Sequence, residues 1–175
     1  MPEFPAHAAA RAPALQVEQW FNTDAAPELE AMRGKVVLLH AFQMLCPACL
    51  SRGLPQAERV HRLLRNEGLV VIGLHTVFEH HDVMGPEALR VFIHEYRWSF
   101  PIGVDFPGSR GGLPATMQAY HFGGTPSLAL IDRAGRIRLH HLGHIDDLLL
   151  GSQIGQLLAE PLAEDASVQA ERGKA

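Results

Sequence analysis

Continuous apolar runs alternate along this chain with segments of helical periodicity. Two runs, within residues 35–42 and 69–77, are apolar at successive positions, as in strands that are covered on both faces. Between them, residues 47–66 carry apolar side chains at helical spacing, namely Leu50, Leu54, Ala57, Val60 and Leu64. The three segments predict a βαβ unit with a right-handed crossover.

The second half of the chain predicts a further helix, a hairpin and a closing helix. Gly85-Pro86-Glu87 has the composition of a helix start, because proline is favoured in the first turn. Residues 127–132 and 136–141 flank a turn that begins with Asp132 and ends with Gly135, which is typical of an antiparallel hairpin. Residues 146–160 place four apolar side chains on one helical face, at Leu150, Ile154, Leu157 and Leu158.

These elements predict one α/β domain. The length of 175 residues suits a single core, and the parallel unit together with the hairpin predicts a central mixed β-sheet flanked by α-helices. We expect this domain to cover residues 14–160. Residues 1–13 and 161–175 lack apolar periodicity and are predicted to be flexible tails.

Charge and hydropathy narrow the classes of partner. The formal net charge is -4 and the pI is about 6.2, with no cluster of Lys and Arg, so neither nucleic acid nor an anionic membrane surface is an expected partner. No apolar stretch reaches the roughly 18 residues of a membrane-spanning helix. Residues 1–7 lack the basic and apolar regions of a secretory signal, which predicts a cytoplasmic protein.

The chain contains two cysteines, Cys46 and Cys49, and both fall where the first strand gives way to a helix. This is the carboxyl end of a parallel strand, where open α/β sheets place their active sites. Free N–H groups in the first turn of a helix stabilise a thiolate. Cys46 is therefore a candidate nucleophile, and Cys49 is its candidate resolving partner. In a reducing compartment, such a pair indicates catalysis or metal binding.

The order of elements and two motifs resemble the thioredoxin superfamily over Leu15 to Glu160. The segments Arg33-Gly34-Lys35-Val36-Val37-Leu38-Leu39 and Gly124-Thr125-Pro126-Ser127-Leu128-Ala129-Leu130-Ile131-Asp132 look most like the TlpA-like thiol-disulfide reductases and related redoxins. This resemblance implies a thioredoxin-like fold and a thiol-disulfide oxidoreductase. It implies no bound cofactor or metal, and we expect a monomer that acts as a reductase.

The resemblance also implies roles for individual residues. Cys46 matches the attacking thiol, Cys49 the thiol that releases the mixed disulfide, and Pro126 the cis-proline that lies against them. The backbone of Thr125 is expected to align an incoming peptide, and Leu45 and Pro47 are expected to contact the substrate. The partners implied are a protein or small-molecule disulfide and an external thiol reductant.

Three positions depart from the family pattern or match it loosely. Leu45 stands where a Trp usually precedes the first cysteine. His40 stands where thioredoxins carry a buried Asp; it could relay the proton that Cys49 must lose, or it could be a core histidine bonded to a backbone carbonyl. Glu79 could act as a base for Cys49, or it could be a solvated loop residue.

Two other functions use the same cysteines. A peroxiredoxin-like peroxidase needs Pro seven residues before its cysteine and Thr or Ser three before it, but this chain has Leu39 and Gln43. A non-catalytic copper-handling or metal-handling module would bind Cu(I) through the two thiolates, although Sco-like copper proteins use CxxxC with a distant His. The eleven histidines show no zinc-finger spacing, so no metal site is predicted.

Overall fold

A mixed six-stranded sheet forms the centre of the computed structural model, which describes residues 10–109 and 112–161. The strand order is β1-β4-β3-β2-β5-β6. Strands β2, β3 and β4 are parallel, whereas β1, β5 and β6 pair antiparallel with their neighbours. The strands are β1 (Val17–Phe21), β2 (Val36–Phe42), β3 (Leu69–His75), β4 (Ile102–Asp105), β5 (Ser127–Ile131) and β6 (Ile137–Leu142).

Helices cover both faces of the sheet, so the predicted architecture is confirmed. The helices are α1 (Leu54–Leu64), α2 (Pro86–Tyr96), α3 (Ala115–Ala119) and α4 (Asp147–Ala159). Helix α1 is preceded by a π turn over Cys49–Gly53. On one face of β2, Leu38 and Phe42 belong to the same buried cluster as apolar residues of α1, α2 and α4.

Strand β2 is buried along its whole length, as its continuous apolar sequence predicts. Three elements are absent from the prediction: β1, β4 and α3. The edge strand β1 has the mixed sequence VEQWF, and β4 has four residues. Helix α3 is held partly by a distant residue, because buried Asp105 accepts hydrogen bonds from the backbone N–H groups of Thr116 and Met117, at 2.8 and 2.9 Å.

The start of the described chain packs on the hairpin. The Ala12 N–H donates to the Gly135 carbonyl, the Ile137 N–H donates to the Ala10 carbonyl, and the Tyr120 hydroxyl donates to the Pro13 carbonyl, at 2.8 to 2.9 Å. Residues 10–13 therefore contact the hairpin and Tyr120, and the predicted domain boundary at residue 14 stays a prediction. The rest of the predicted tails, residues 1–9 and 162–175, lies outside the described residues.

The two tryptophans occupy different parts of the domain. Trp20 lies on the edge strand β1 and packs with the cluster on the opposite face of the sheet from Phe42. Trp98 follows α2, is nearly buried, and stacks on Tyr96 with ring centroids 5.6 Å apart. Since β4 begins at Ile102, Trp98 lies towards the amino ends of the parallel strands.

The hairpin turn is organised by the buried carboxylate of Asp132. It accepts hydrogen bonds from the backbone N–H groups of Ala134 and Arg136, both at 2.9 Å, and from the guanidinium groups of Arg136 and Arg138. Burial alone would raise the pKa of Asp132, but the hydrogen bonds from Arg136 and Arg138 outweigh it and hold that pKa below its usual value.

We expect Asp132→Asn to lower the free energy of unfolding by about 2 kcal/mol at pH 7, because charge-assisted bonds to a buried acceptor are lost. Folding lowers the pKa of Asp132, so its contribution to stability is fully present above the pKa of the unfolded state. That contribution is lost as the pH falls through the pKa of the folded state. Urea unfolding at pH 7 and pH 3 measures both effects. Exposed Asp82→Asn is the matched control; an equal loss in both variants would contradict the assignment.

Candidate active site

Cys46 and Cys49 lie between the end of β2 and helix α1. Their Sγ atoms are joined in a disulfide, and their Cα atoms are 5.2 Å apart. Cys46 is partly exposed, whereas Cys49 has an exposed fraction of 0%. The Cys49 backbone N–H donates to the Cys46 Sγ at 3.2 Å. In the reduced protein, this contact would stabilise a thiolate on the more accessible of the two sulfurs.

The Thr125–Pro126 peptide bond is cis, as the resemblance implies. The Thr125 carbonyl oxygen lies 3.5 Å from the Cys46 Sγ, a distance at which a thiol donates to it. The segment is anchored to the end of β6, because the Pro126 carbonyl accepts from the Gly143 N–H at 2.7 Å. The structure therefore places Thr125 beside Cys46 at the surface, with the buried Pro126 next in the chain.

Apolar side chains surround this surface. Leu45 is 55% exposed, and Pro47 and Ala48 beside it are also exposed. Leu142, at the end of β6, is 56% exposed and lies beside the glycines that precede Thr125. We call Leu45, Pro47, Ala48 and Leu142 the apolar rim. The sequence analysis named Leu45 and Pro47 but missed Ala48 and Leu142, and the place of Leu142 follows from its pairing with Ser127.

Two buried polar residues hold the loop before Cys46. Gln43 donates from its side-chain amide to the Glu79 carboxylate and accepts from the Phe78 N–H, both at 3.2 Å. The His75 Nε2 accepts from the Met44 N–H at 3.4 Å, and burial lowers the pKa of His75 to about 4. A neutral imidazole thus supports this loop at pH 7. Gln43 directly follows β2, and His75 is the last residue of β3.

Glu79 is exposed, and its carboxylate reaches the cysteine loop through the Gln43 amide. This geometry supports the interpretation of Glu79 as a surface residue. Its role as a base for Cys49 stays a prediction.

His40 lies in the middle of β2 and is 3% exposed. Among the described residues, none forms a hydrogen bond with its Nε2. Burial lowers the pKa of His40 to about 4, so the ring is neutral at pH 7. At Nε2, the ring does not donate to a backbone carbonyl, as a core histidine is expected to do.

Within residues 10–109 and 112–161, no group of three or more His, Cys, Asp or Glu side chains is arranged to hold a metal ion. Two of the histidines have backbone partners: the His140 Nε2 lies 2.9 Å from the Tyr120 carbonyl and the His141 Nε2 lies 3.3 Å from that of His144. No helix of this part is long and apolar enough to cross a membrane.

Comparison with solved structures finds close relatives. A crystal structure of the thioredoxin-like superfamily protein SPOA0173 is 52% identical, with a TM-score of 0.85, and the match covers 87% of this chain and 99% of that one. A thiol-disulfide isomerase from Corynebacterium glutamicum is 49% identical, with a TM-score of 0.81, and the match covers 86% of this chain and 98% of that one.

Among curated proteins, protein DipZ of Mycobacterium bovis is 28% identical over 142 residues, which are 79% of this chain. The chain spans 19% of the length of that relative. No family profile matches the sequence. The close structural relatives share both the fold and nearly their full length with this protein. The chain therefore belongs to the thioredoxin-like superfamily of thiol-disulfide oxidoreductases.

Proposed function

We propose that this chain catalyses dithiol-disulfide exchange through Cys46 and Cys49, with net reduction of substrate disulfides. The observation that carries the proposal is the asymmetry of the pair: Cys46 is partly exposed and accepts the Cys49 N–H, whereas Cys49 is fully buried. An accessible, stabilised thiolate suits attack on an external disulfide. A buried thiol beside it suits the second, internal attack.

The reaction has two exchange steps. The Cys46 thiolate attacks one sulfur of the substrate disulfide, which forms a mixed disulfide and releases the other sulfur as a thiolate that takes up a proton. Cys49 then loses its proton and attacks the Cys46 Sγ, which releases the second substrate thiol and leaves the Cys46–Cys49 disulfide. An external thiol reductant reopens that bond, so no bound cofactor is needed.

The surroundings of Cys46 support a disulfide held in an apolar segment as the substrate. The apolar rim carries no charge, and the Thr125 backbone lies beside the sulfur. An extended segment that lies along Thr125 would place its sulfur in line with Cys46. Both a protein disulfide and an apolar small-molecule disulfide fit this description. A cytoplasmic location and a monomeric state stay predictions.

The midpoint potential of the Cys46–Cys49 pair tests the proposal and its direction. The protein is equilibrated in graded dithiol/disulfide buffers, and its alkylated thiols are counted by mass spectrometry. We expect one two-electron transition near or below about -270 mV, the range of reducing thioredoxins. A value near about -120 mV would reverse the direction and argue against a reducing compartment. If the pair does not cycle at all, the proposed function is wrong.

A further inference from the structure

A pocket of about 380 Å³ lies at the opposite end of the sheet from the cysteines. It is bounded by the end of β1, the last turns of α2 and the loop that leads to β4. Phe21 in its wall pairs with Ile102, the first residue of β4, so the pocket lies near the amino ends of the parallel strands. The cysteines follow the carboxyl end of β2, and the exchange reaction therefore assigns this pocket no role.

Two residues of the pocket wall have an unusual backbone conformation. Among the described residues, four that are not glycine have a positive φ, and two of the four, Asn22 at 57° and Arg97 at 56°, line this pocket. Asparagine is tolerated in this left-handed region better than most residues, whereas arginine is disfavoured there. Arg97 ends α2, where a left-handed residue is usually glycine. Because strained residues cluster at functional sites, an arginine kept at this position points to a use for its side chain.

Hydrogen bonds hold the two walls of the pocket in place. The Asn22 side-chain amide donates to the carbonyl oxygens of Trp98 and Phe100, at 2.7 and 3.0 Å. The Trp98 N–H donates to the Ile93 carbonyl at 3.2 Å. These bonds fix the end of β1 against the loop after α2, so the protein itself maintains the shape of the pocket.

The pocket has an apolar lining that contains one unpartnered donor. Ile93 and Trp98 belong to the buried cluster, and Phe21 packs against it. Trp98 is 9% exposed, and its indole Nε1 has no hydrogen-bond partner among the described residues. Most buried polar atoms in proteins are hydrogen-bonded. The indole is therefore a donor in the pocket wall that lacks an acceptor.

The polar part of the lining is basic. Arg90, His94 and Arg97 contribute two guanidinium groups and an imidazole, and none of the described residues that line the pocket is acidic. Arg90 pairs with Glu87 at 3.2 Å, but both side chains are mostly exposed, so this pair contributes little. No ion pair of the described residues includes His94 or Arg97. On a chain with a net charge of -4, this local excess of cationic donors favours an anion.

We propose that this pocket binds a small carboxylate with an aromatic or branched apolar body. The apolar body packs against Phe21 and Ile93, and the carboxylate accepts from the Arg97 guanidinium, whose paired N–H groups match its two oxygens. The bound oxygens also supply an acceptor for the Trp98 indole N–H. The volume of about 380 Å³ falls within the range of small-molecule pockets, about 300 to 1,000 Å³.

A titration of the oxidised protein with phenylacetate tests the proposal, and uncharged phenylacetamide is the matched control ligand. Calorimetry measures the affinity, and NMR of the indole N–H groups, assigned with Trp98→Phe, locates the site. We expect saturable phenylacetate binding with a Kd below about 1 mM. The amide should bind about tenfold more weakly or worse, because it lacks the charge-assisted hydrogen bonds. The Trp98 N–H signal should move at saturation, whereas that of Trp20, which packs on the other face of the sheet, should stay in place.

The variant Arg97→Gly separates binding from stability. It removes the guanidinium and introduces the residue that tolerates a left-handed backbone best. We expect the affinity for phenylacetate to fall by about tenfold or more, while the Tm stays the same or rises. The control Arg65→Gln, at an exposed position at the end of α1, should change neither quantity. Loss of binding in a variant that is at least as stable cannot be attributed to a disrupted fold.

Four results would overturn the proposal. They are the absence of saturable phenylacetate binding, equal affinities for the acid and the amide, wild-type affinity in Arg97→Gly, and saturation that leaves the Trp98 N–H signal unmoved. The last result would place the ligand elsewhere, for example on the apolar rim. Because the titration involves no thiol chemistry, its failure would leave the proposed disulfide exchange unaffected.

Discussion

Replacing Cys46 with serine is expected to abolish disulfide exchange, with a loss of turnover on the order of a thousandfold or more, as for other enzymes that lose their nucleophile. A serine hydroxyl does not ionise near neutral pH and does not form a disulfide. The buried Cys49 would not take over the role, because it has no exposed surface through which to reach a substrate.

Replacing Cys49 with serine should have a different outcome. Cys46 remains competent to attack, but the resolving thiol is gone, so the protein should accumulate as a mixed disulfide with its substrate. Intact mass spectrometry after incubation with a disulfide peptide measures this adduct, and the double variant serves as the control. If Cys46→Ser keeps normal turnover, or if the mixed disulfide accumulates in Cys46→Ser and not in Cys49→Ser, the assigned roles are wrong.

Acidification from pH 6.5 to about pH 4 is expected to destabilise the protein strongly. Burial lowers the pKa of both His40 and His75 to about 4, whereas an unfolded histidine titrates near 6.5. The unfolded chain therefore binds protons at a higher pH than the folded protein does. The free energy of unfolding decreases as the pH is lowered through this interval. Each group contributes on the order of 3 kcal/mol at most, from its shift in pKa.

Urea unfolding at pH 7, 5.5 and 4.5 tests this expectation. His75→Gln keeps a side-chain acceptor for the Met44 N–H but has no titrating ring, so it should flatten the pH dependence, and His40→Asn should do the same. Exposed His94→Gln is the matched control. The Asp132 contribution is lost at lower pH, which separates the two effects. Equal stability of wild type at pH 7 and 4.5 would contradict the buried, neutral state of these histidines.

The sequence allowed prediction of those parts of the fold and site that depend on local pattern. The central strand β2 is buried on both faces, so its sequence is a continuous apolar run. The cysteine pair and Thr125-Pro126 are short contiguous motifs that can be recognised in the sequence. Strands β1 and β4 were not predicted, because they have no clear local pattern of apolar residues. They are short or half-buried, and their stability comes from pairing across about 85 residues of chain, as between Val17 and Asp105.

Contacts around the site were predictable to different degrees. His40 stood out by its position in an apolar strand. The need for glycine at position 53 follows from the packing of a helix turn on that strand, because a Cβ atom there would lie 2.7 Å from the His40 Cε1. Gln43 and His75 support the cysteine loop through hydrogen bonds that depend on the register of β2 against β3. No local pattern encodes that register, so these supporting residues emerged from the structure.

The positions of the two tryptophans determine what their fluorescence can report. Trp20 lies on the edge strand, three strands away from β2, and Trp98 lies towards the amino ends of the parallel strands, whereas the cysteines lie at the carboxyl end of β2. With Leu45 rather than an aromatic ring before Cys46, the emission should be nearly silent to opening of the disulfide. It should still respond to unfolding, so one optical signal measures the stability of either redox form.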